Sequence, residues 1–338
     1  MARRGHLPAL DGLRGVAILL VFSVHCFDWP KGGHLGVDLF FMLSGFLITT
    51  LLLEERDATG RINLRVFYAR RARRLLPALA LLLTAYLAID AAKGHNGLKA
   101  AAFGGLYVAN LVEAFGQNPG VLSGSGLDHL WSLAQEEQFY LLWPLLVPVV
   151  ALVRRPVRLL AIVIGFLVLY RIALAVNGAS HHRLYNGPDT HADGLLAGAA
   201  VAFLLARSPQ FIVSKLLPVA ALPIAVDALL LRDPSPAWDA FGLPIAEAAC
   251  VAILVAALTL PGWAAVLSWS PLRWLGRISY SLYLWHFMLI WAFNGQHRLI
   301  PAGLSIVVAY VSTRWIEEPI RRRRAPSAGL APAVPATA

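Results

Sequence analysis

The chain has 338 residues, 58% of them apolar and only 14% charged, with a mean hydropathy of +0.64. Soluble domains carry about 25% charged residues, so an ordinary soluble fold is excluded, and the lack of short alternating strands argues against a membrane barrel. The net charge of +10, from 29 Lys and Arg against 19 Asp and Glu, is explained by the positive-inside bias of membrane proteins; no nucleic-acid motif accompanies it, and no nucleic-acid partner is expected.

Apolar runs predict spans near 13–29, 35–53, 75–92, 132–153, 159–177, 190–206, 211–231, 241–260, 277–294 and 300–316. The expected fold class is an all-α integral membrane protein of about ten transmembrane helices in a lipid bilayer. A further run, 100–115, is ambiguous, and the basic residues resolve it. With Arg3 and Arg4 in the cytoplasm, the segment 54–74 is inside as well, carrying Arg56, Arg61, Arg65, Arg70, Arg71, Arg73 and Arg74. If 100–115 does not span, then Arg154, Arg155, Arg158, Arg207, Lys215, Arg273, Arg277 and Arg321 to Arg324 are also inside, the bias a correct orientation requires. Residues 100–115 are therefore expected to be re-entrant or to lie along the surface, with both termini cytoplasmic. Residues 1–324 form one polytopic membrane domain, and the Ala- and Pro-rich tail 325–338 is expected to be disordered.

The N-terminus is superficially like a signal peptide. Asp11 and Arg14 interrupt it and no small-residue cleavage site follows, so it reads as a retained first span. Arg14 and His25 are eleven residues apart, about three helical turns, and project from nearly one face about 16 Å apart. Ionisable groups in a span are costly and usually face a polar cavity. His25 alone reads equally as a histidine bonded to a neighbouring helix; in combination with the groups below, a functional role is favoured. Asp38 enters the second span from the same outer side. Cys26 and Cys250 lie in apolar runs and form neither a disulfide framework nor a metal site.

Arg71 and Arg74 are spaced i, i+3 on one face of a helix start, and guanidinium forks bind phosphate. Positive-inside charge explains arginines here equally well. The stretch His129 to Tyr140 is more specific. Ser132 and Gln135 have capping-box spacing, which predicts a helix start at Ser132. Glu136 and Glu137 then fall in its first turns, where the helix dipole favours anions. Adjacent carboxylates point about 100° apart, so one is available to face a cavity and orient a histidine or a substrate hydroxyl. His129 lies just outside that helix, on the side of His25. His25, Asp38, and His129 with Glu136 or Glu137 are thus expected to converge on the outer half. No HxxxH or HExxH spacing occurs, so no metal is expected. His286, mid-span among aromatics, reads as packing, and Gly165, Gly194 and Gly198 as helix-packing residues. His181, His182 and His191 receive no role.

Six segments in order resemble the membrane-bound acyltransferase family 3, the O-antigen acetylase-like proteins. They are Leu10-Asp11-Gly12-Leu13-Arg14-Gly15-Val16-Ala17 with His25; Gly36-Val37-Asp38-Leu39-Phe40-Phe41-Met42-Leu43-Ser44-Gly45-Phe46; Phe67-Tyr68-Ala69-Arg70-Arg71-Ala72-Arg73-Arg74-Leu75-Leu76-Pro77; His129-Leu130-Trp131-Ser132-Leu133-Ala134-Gln135-Glu136-Glu137-Gln138-Phe139-Tyr140; Ile278-Ser279-Tyr280-Ser281-Leu282-Tyr283-Leu284-Trp285-His286; and Ile316-Glu317-Glu318-Pro319. The middle, about 155–270, matches only in hydropathy.

The resemblance implies transfer of an acyl group, most often acetyl, from acyl-CoA to a hydroxyl. The acceptor would be a carbohydrate, a cell-envelope glycan, or a glycosylated or macrolide metabolite. It implies CoA phosphates on Arg71 and Arg74, with Arg14 and Arg70 beside them. His25 would act as base or acyl acceptor, with Glu136 or Glu137 holding its tautomer or binding the acceptor. The implied location is the bacterial cytoplasmic membrane. Some family members carry a fused extracellular hydrolase-like domain that completes transfer. None occurs in this sequence, so a hand-off beyond the membrane would need a separate periplasmic partner. The competing reading is an exporter of a glycolipid or polysaccharide intermediate, but the sequence has no internal two-fold repeat and no matched broken helices.

Overall fold

The computed structural model describes residues 7–116, 122, 124–208, 211, 213–231, 235–295 and 297–322. Arg3, Arg4, Arg323, Arg324 and the tail 325–338 lie outside them, as do the side chains of Arg321 and Arg322. The helices in chain order are α1 (Pro8–Phe27), α2 (Leu35–Thr59), α3 (Leu64–Ala92), α4 (Leu98–Gly105), α5 (Ala109–Phe115), α6 (Leu130–Leu152), α7 (Pro156–Val176), α8 (His181–Asn186), α9 (Asp193–Arg207), α10 (Leu216–Leu231), α11 (Leu243–Thr259), α12 (Pro261–Leu267), α13 (Ser270–Ala292), α14 (Leu299–Val311) and α15 (Glu318–Arg322). Among the described residues there is no strand, so the protein is all-α.

Each of the ten apolar runs falls on a helix. Six helical segments are long and apolar enough to cross a membrane: Pro8–Phe27, Lys31–Thr59, Leu64–Ala92, Pro156–Val176, Trp238–Thr259 and Leu299–Ile320. The other runs fall on helices that are shorter, α9 with 15 residues and α10 with 16, or that carry polar groups, α6 and α13 with 23 each. The run 100–115 divides into α4 and α5 at Tyr107, whose φ is +56°. Their 8 and 7 residues are far below the length that crosses a bilayer.

Local chemistry sets several boundaries. Pro8 opens α1, where its missing N–H costs nothing. Gly60, at φ +74°, closes α2 in the left-handed conformation. Asn63 Oδ1 accepts from the Val66 amide at 3.1 Å and starts α3 at Leu64. Arg71 and Arg74 therefore lie about two turns inside α3 rather than at a helix start. The capping box expected at Ser132 does not form. α6 begins at Leu130 without a side-chain cap. The Ser132 hydroxyl instead meets the Tyr283 hydroxyl at 2.6 Å, and Gln135 Nε2 donates to the His191 carbonyl at 2.6 Å. Tertiary partners have displaced the local cap.

α1 lies along α13, and α2 along α9. Glycines allow these close approaches. A Cβ on Gly15 would sit 2.1 Å from the Leu272 carbonyl oxygen, and one on Gly45 1.9 Å from that of Leu195. Small residues at such seams are how helices approach in lipid, where burial of apolar surface gives little drive. On the periphery, α6 and α7 expose Leu141, Leu142, Leu145, Ile162, Phe166 and Leu169, an apolar skin suited to acyl chains rather than water.

Candidate active site

A pocket between α1, α2, α3, α6 and α13 is lined at one end by Arg14, Arg71 and Arg74 and along its wall by Glu136, Glu137 and Tyr140. Three of the four arginines singled out in the sequence, and both adjacent glutamates, thus meet in one place. Arg70 is exposed and is not part of the lining. The two carboxylates are used differently. Arg71 Nη2 donates to Glu137 Oε1 at 3.1 Å, and its guanidinium lies over the Tyr140 ring, 3.3 Å from the centroid. Glu136 accepts short hydrogen bonds from the Ser44 and Tyr140 hydroxyls. Three guanidiniums face two carboxylates, a formal surplus of one positive charge. Arg14 and Arg74 make no ion pair with a carboxylate among the described residues, which leaves two forks for an anionic ligand.

The far end of the pocket is bounded by Ser132 and Tyr283. The Tyr283 hydroxyl also donates to the His129 carbonyl at 2.8 Å. Its ring lies 5.3 Å from that of His129 and 5.6 Å from that of His286, between centroids. Beyond it are four histidines. His25 stacks on His286 at 5.1 Å and meets His34 edge-on at 5.1 Å; His129 lies 5.6 Å from His286. The expected approach of His129 to the His25 region is present. His286, read from sequence as packing, is instead the hydrogen-bond partner of His25.

The tautomers follow from the acceptors. His286 Nδ1 faces the Leu282 and Tyr283 carbonyl oxygens at 3.0 and 2.8 Å. Carbonyls only accept, so Nδ1 carries the proton of a neutral ring and Nε2 carries the lone pair. His25 Nδ1 lies 2.9 Å from that Nε2, so His25 donates through Nδ1. Its Nε2 is left with a lone pair, the form a general base or nucleophile needs.

Asp38 is drawn into a different cluster. It is fully buried, and its Oδ1 lies 2.8 Å from His191 Nε2. Arg171 and Asp193 pair nearby at 2.9 Å, also buried, and Glu247 completes the group. Sequence reasoning gave none of His191, Arg171, Asp193 and Glu247 a role; the signal available was an ionisable residue inside a membrane-length run.

The loop before α6 holds Asp128, whose carboxyl is raised to about 6 by burial, reinforced by Glu113 and opposed by His182. In the break between α4 and α5, burial pushes the Tyr107 phenol up, with Glu137 adding to the rise.

Comparison with known proteins places this geometry in a family. Residues 7–314 match the acyltransferase domain family. The peptidoglycan O-acetyltransferase OatA of Listeria monocytogenes is 33% identical over 354 residues, covering 94% of this chain and 56% of that protein. A putative O-acetyltransferase of Staphylococcus aureus is 35% identical over 352 residues, covering 94% and 58%. The putative peptidoglycan O-acetyltransferase YrhL of Bacillus subtilis is 33% identical over 354 residues, covering 94% and 55%. The chain thus spans a little over half the length of these curated relatives. No solved structure matches it. With the match running from the start of α1 to the end of α14, the chain belongs to acyltransferase family 3, the membrane-bound family whose six segments its sequence carries in order.

Proposed function

We propose that the chain is a membrane-embedded O-acyltransferase that moves an acetyl group from acetyl-CoA to a hydroxyl of a cell-envelope glycan. The observation that supports this reading is a pocket lined by guanidiniums, with a histidine of defined tautomer in the layer behind its Tyr283 and Ser132 wall. The CoA phosphates bind Arg14, Arg71 and Arg74. The pantetheine arm runs past Glu136 and Tyr140 toward Tyr283, and the thioester meets the acceptor beside His25. His25 Nε2 takes the hydroxyl proton as the acceptor oxygen bonds to the carbonyl carbon; the C–S bond breaks and the thiolate leaves with that proton as free CoA. A two-step route, with Nε2 itself taking the acetyl group first, uses the same lone pair.

The names of the Listeria and Bacillus relatives favour a peptidoglycan hydroxyl as acceptor. The protein sits in the cytoplasmic membrane with both termini inside, so the arginine end faces the CoA pool. Where the acceptor lies beyond the membrane, a separate partner domain receives the acetyl group.

The test is thiol release from acetyl-CoA by detergent-purified protein, with glycan fragments as acceptors. Release is expected to require His25, and Arg71→Ala/Arg74→Ala is expected to raise the donor KM at least about tenfold, since a hydrogen bond to a charged group contributes about 1.5–3 kcal/mol. Acetyl transfer at the wild-type rate by His25→Ala, or wild-type protein that binds no CoA, overturns the reading.

A further inference from the structure

The buried cluster behind Phe41 is separate from the pocket chemistry and bears on a different question. Asp38 on α2, His191 just before α9 and Glu247 on α11 bring one ligand atom each within 4.8 Å of one another. Asp38 and His191 are fully buried and Glu247 is 6% exposed. Phe41 touches the His191 ring, with centroids 5.6 Å apart, and also lines the pocket. Trp131 stacks on His191 from the α6 side at 5.8 Å.

Three features of the cluster point outward to a ligand. First, the His191 ring is oriented like a metal ligand. Its Nδ1 faces the Tyr185 carbonyl oxygen at 2.6 Å, so Nδ1 carries a proton and a neutral ring presents its Nε2 lone pair to the cluster, the outer contact that metal-binding histidines use. That lone pair then faces the Asp38 carboxylate at 2.8 Å, an arrangement that is repulsive unless a proton or a cation lies between them. Second, Asp38 Oδ2 and Glu247 Oε1 are buried and have no hydrogen-bond partner, although buried polar atoms are nearly always paired. Third, the charge does not close. Arg171 and Asp193 neutralise each other. Arg171 also acts on Glu247, but three buried carboxylates, Asp38, Asp193 and Glu247, face that one guanidinium, a formal excess of two negative charges. A proton on His191 settles Asp38 alone and leaves Glu247 uncompensated. One divalent ion offsets both charges, uses the Nε2 lone pair and engages both orphaned oxygens.

We propose that Asp38, His191 and Glu247 bind a divalent cation that ties α2, α9 and α11 together behind the pocket wall. The donor set of one imidazole nitrogen and two carboxylate oxygens suits zinc or manganese better than magnesium or calcium, which take oxygen ligands. Ligand bonds of about 2.0–2.2 Å in tetrahedral geometry place donors about 3.3–3.6 Å apart, so the donors farthest apart draw together by up to about 1.5 Å as the ion binds. Sequence reasoning missed the site because its ligands come from three distant segments, with no local ligand spacing to detect. The proposal does not depend on the acyl-transfer reading.

The experiment measures metal content by mass spectrometry in the full chain, purified in detergent and dialysed against a weak chelator. It compares wild type with Asp38→Asn and Glu247→Gln, which keep shape and remove charge. Near one zinc or manganese per chain is expected in the wild type, falling at least tenfold in either variant. In the wild-type protein alone, a strong chelator is expected to lower the Tm, and added Zn2+ or Mn2+ to restore it. Those two arms stand even if the variants fail to fold. The competing occupant is a proton on Glu247, shared with its neighbour Asp193. Metal-free wild-type protein whose Tm ignores both chelator and added metal overturns the proposal. So does an infrared carbonyl band of a buried carboxylic acid that disappears in Glu247→Gln.

Discussion

At the scale of single residues, the central result is that His25 is oriented by another histidine and not by a carboxylate. One of the two adjacent glutamates was expected to orient a histidine or bind a hydroxyl, but both are engaged elsewhere: Glu136 by Ser44 and Tyr140, Glu137 by Arg71. His286 does the orienting. It is fully buried and tied through Nδ1 to two carbonyls. His25→Ala removes the nitrogen proposed as general base and is expected to lower the proposed acetyl transfer by about 10²–10⁴-fold, the range for loss of a general base. His286→Ala keeps that nitrogen but frees the ring to flip or change tautomer. It is expected to lower kcat about 10–100-fold with the donor KM little changed, because His286 lies behind Tyr283 and does not line the pocket that holds the guanidiniums. A purely structural role for His286 would show instead as loss of folded protein, with kcat per folded molecule intact. A parallel rise in KM and fall in kcat would place His286 in donor binding and sink the positioning role.

Among the elements, the helix–helix seams make a sharper test than the helices themselves. Gly45 and Gly198 face carbonyl oxygens across the α2–α9 contact, where a Cβ would fall at 1.9 and 2.0 Å. Gly165, read from sequence as another packing glycine, has no heavy atom within 4 Å of its Cβ position and faces outward from α7. The two substitutions to alanine should therefore differ in sign. Gly45→Ala is expected to cost about 1–3 kcal/mol or more through overpacking against backbone, and Gly165→Ala to be neutral or stabilising by up to about 1 kcal/mol through helix propensity. Thermal unfolding in detergent reads both, and equal Tm values for the two variants would refute the seam.

The loop before α6 adds a pH dependence. Burial beside Glu113 raises the Asp128 carboxyl from 3.8 to about 6, so the folded state holds that proton more tightly than the unfolded chain does. Its stabilising contribution is complete below about pH 4 and is lost as pH rises through about 6. Asp128→Asn is expected to raise the Tm at pH 7 and to flatten the Tm change between pH 4 and 6; an unchanged slope removes Asp128 as its source.

The helices were legible in the sequence because apolarity accumulates along a run, and all ten runs became helices. The boundaries were less so: Asn63 starts α3 about three turns before the expected span, and Ser132 turns to Tyr283 instead of capping. The arginine–glutamate half of the pocket was legible as unusual charge inside or beside apolar runs. The pairings were not. His25 and His286 are 261 positions apart, and Asp38 and His191 are 153 apart. Which side chain meets which is decided by the glycine seams between helices, and no local periodicity encodes that.

For the whole molecule, the pocket gains direction from the distribution of charge. The arginine end lies toward the α2–α3 turn. Arg207 at the end of α9 donates to the Arg154 carbonyl at 2.5 Å, joining the α6–α7 turn to the same end. The opposite end holds His129, the α7–α8 turn and the contact of Arg298 with Asp28. A basic end on the cytoplasmic side would obey the positive-inside rule and would meet the proposed CoA donor there, so orientation and the direction of the proposed acetyl transfer are one question. Single cysteines at the two ends answer it. Asp57 and Asn177 are exposed at opposite ends, and the native Cys26 and Cys250 are buried, which keeps the background low. In intact cells, Asn177→Cys is expected to react with a membrane-impermeant maleimide, and Asp57→Cys only after permeabilisation. The reverse pattern would put the guanidiniums outside, away from cytosolic CoA, and the acetyl group would then need a different donor.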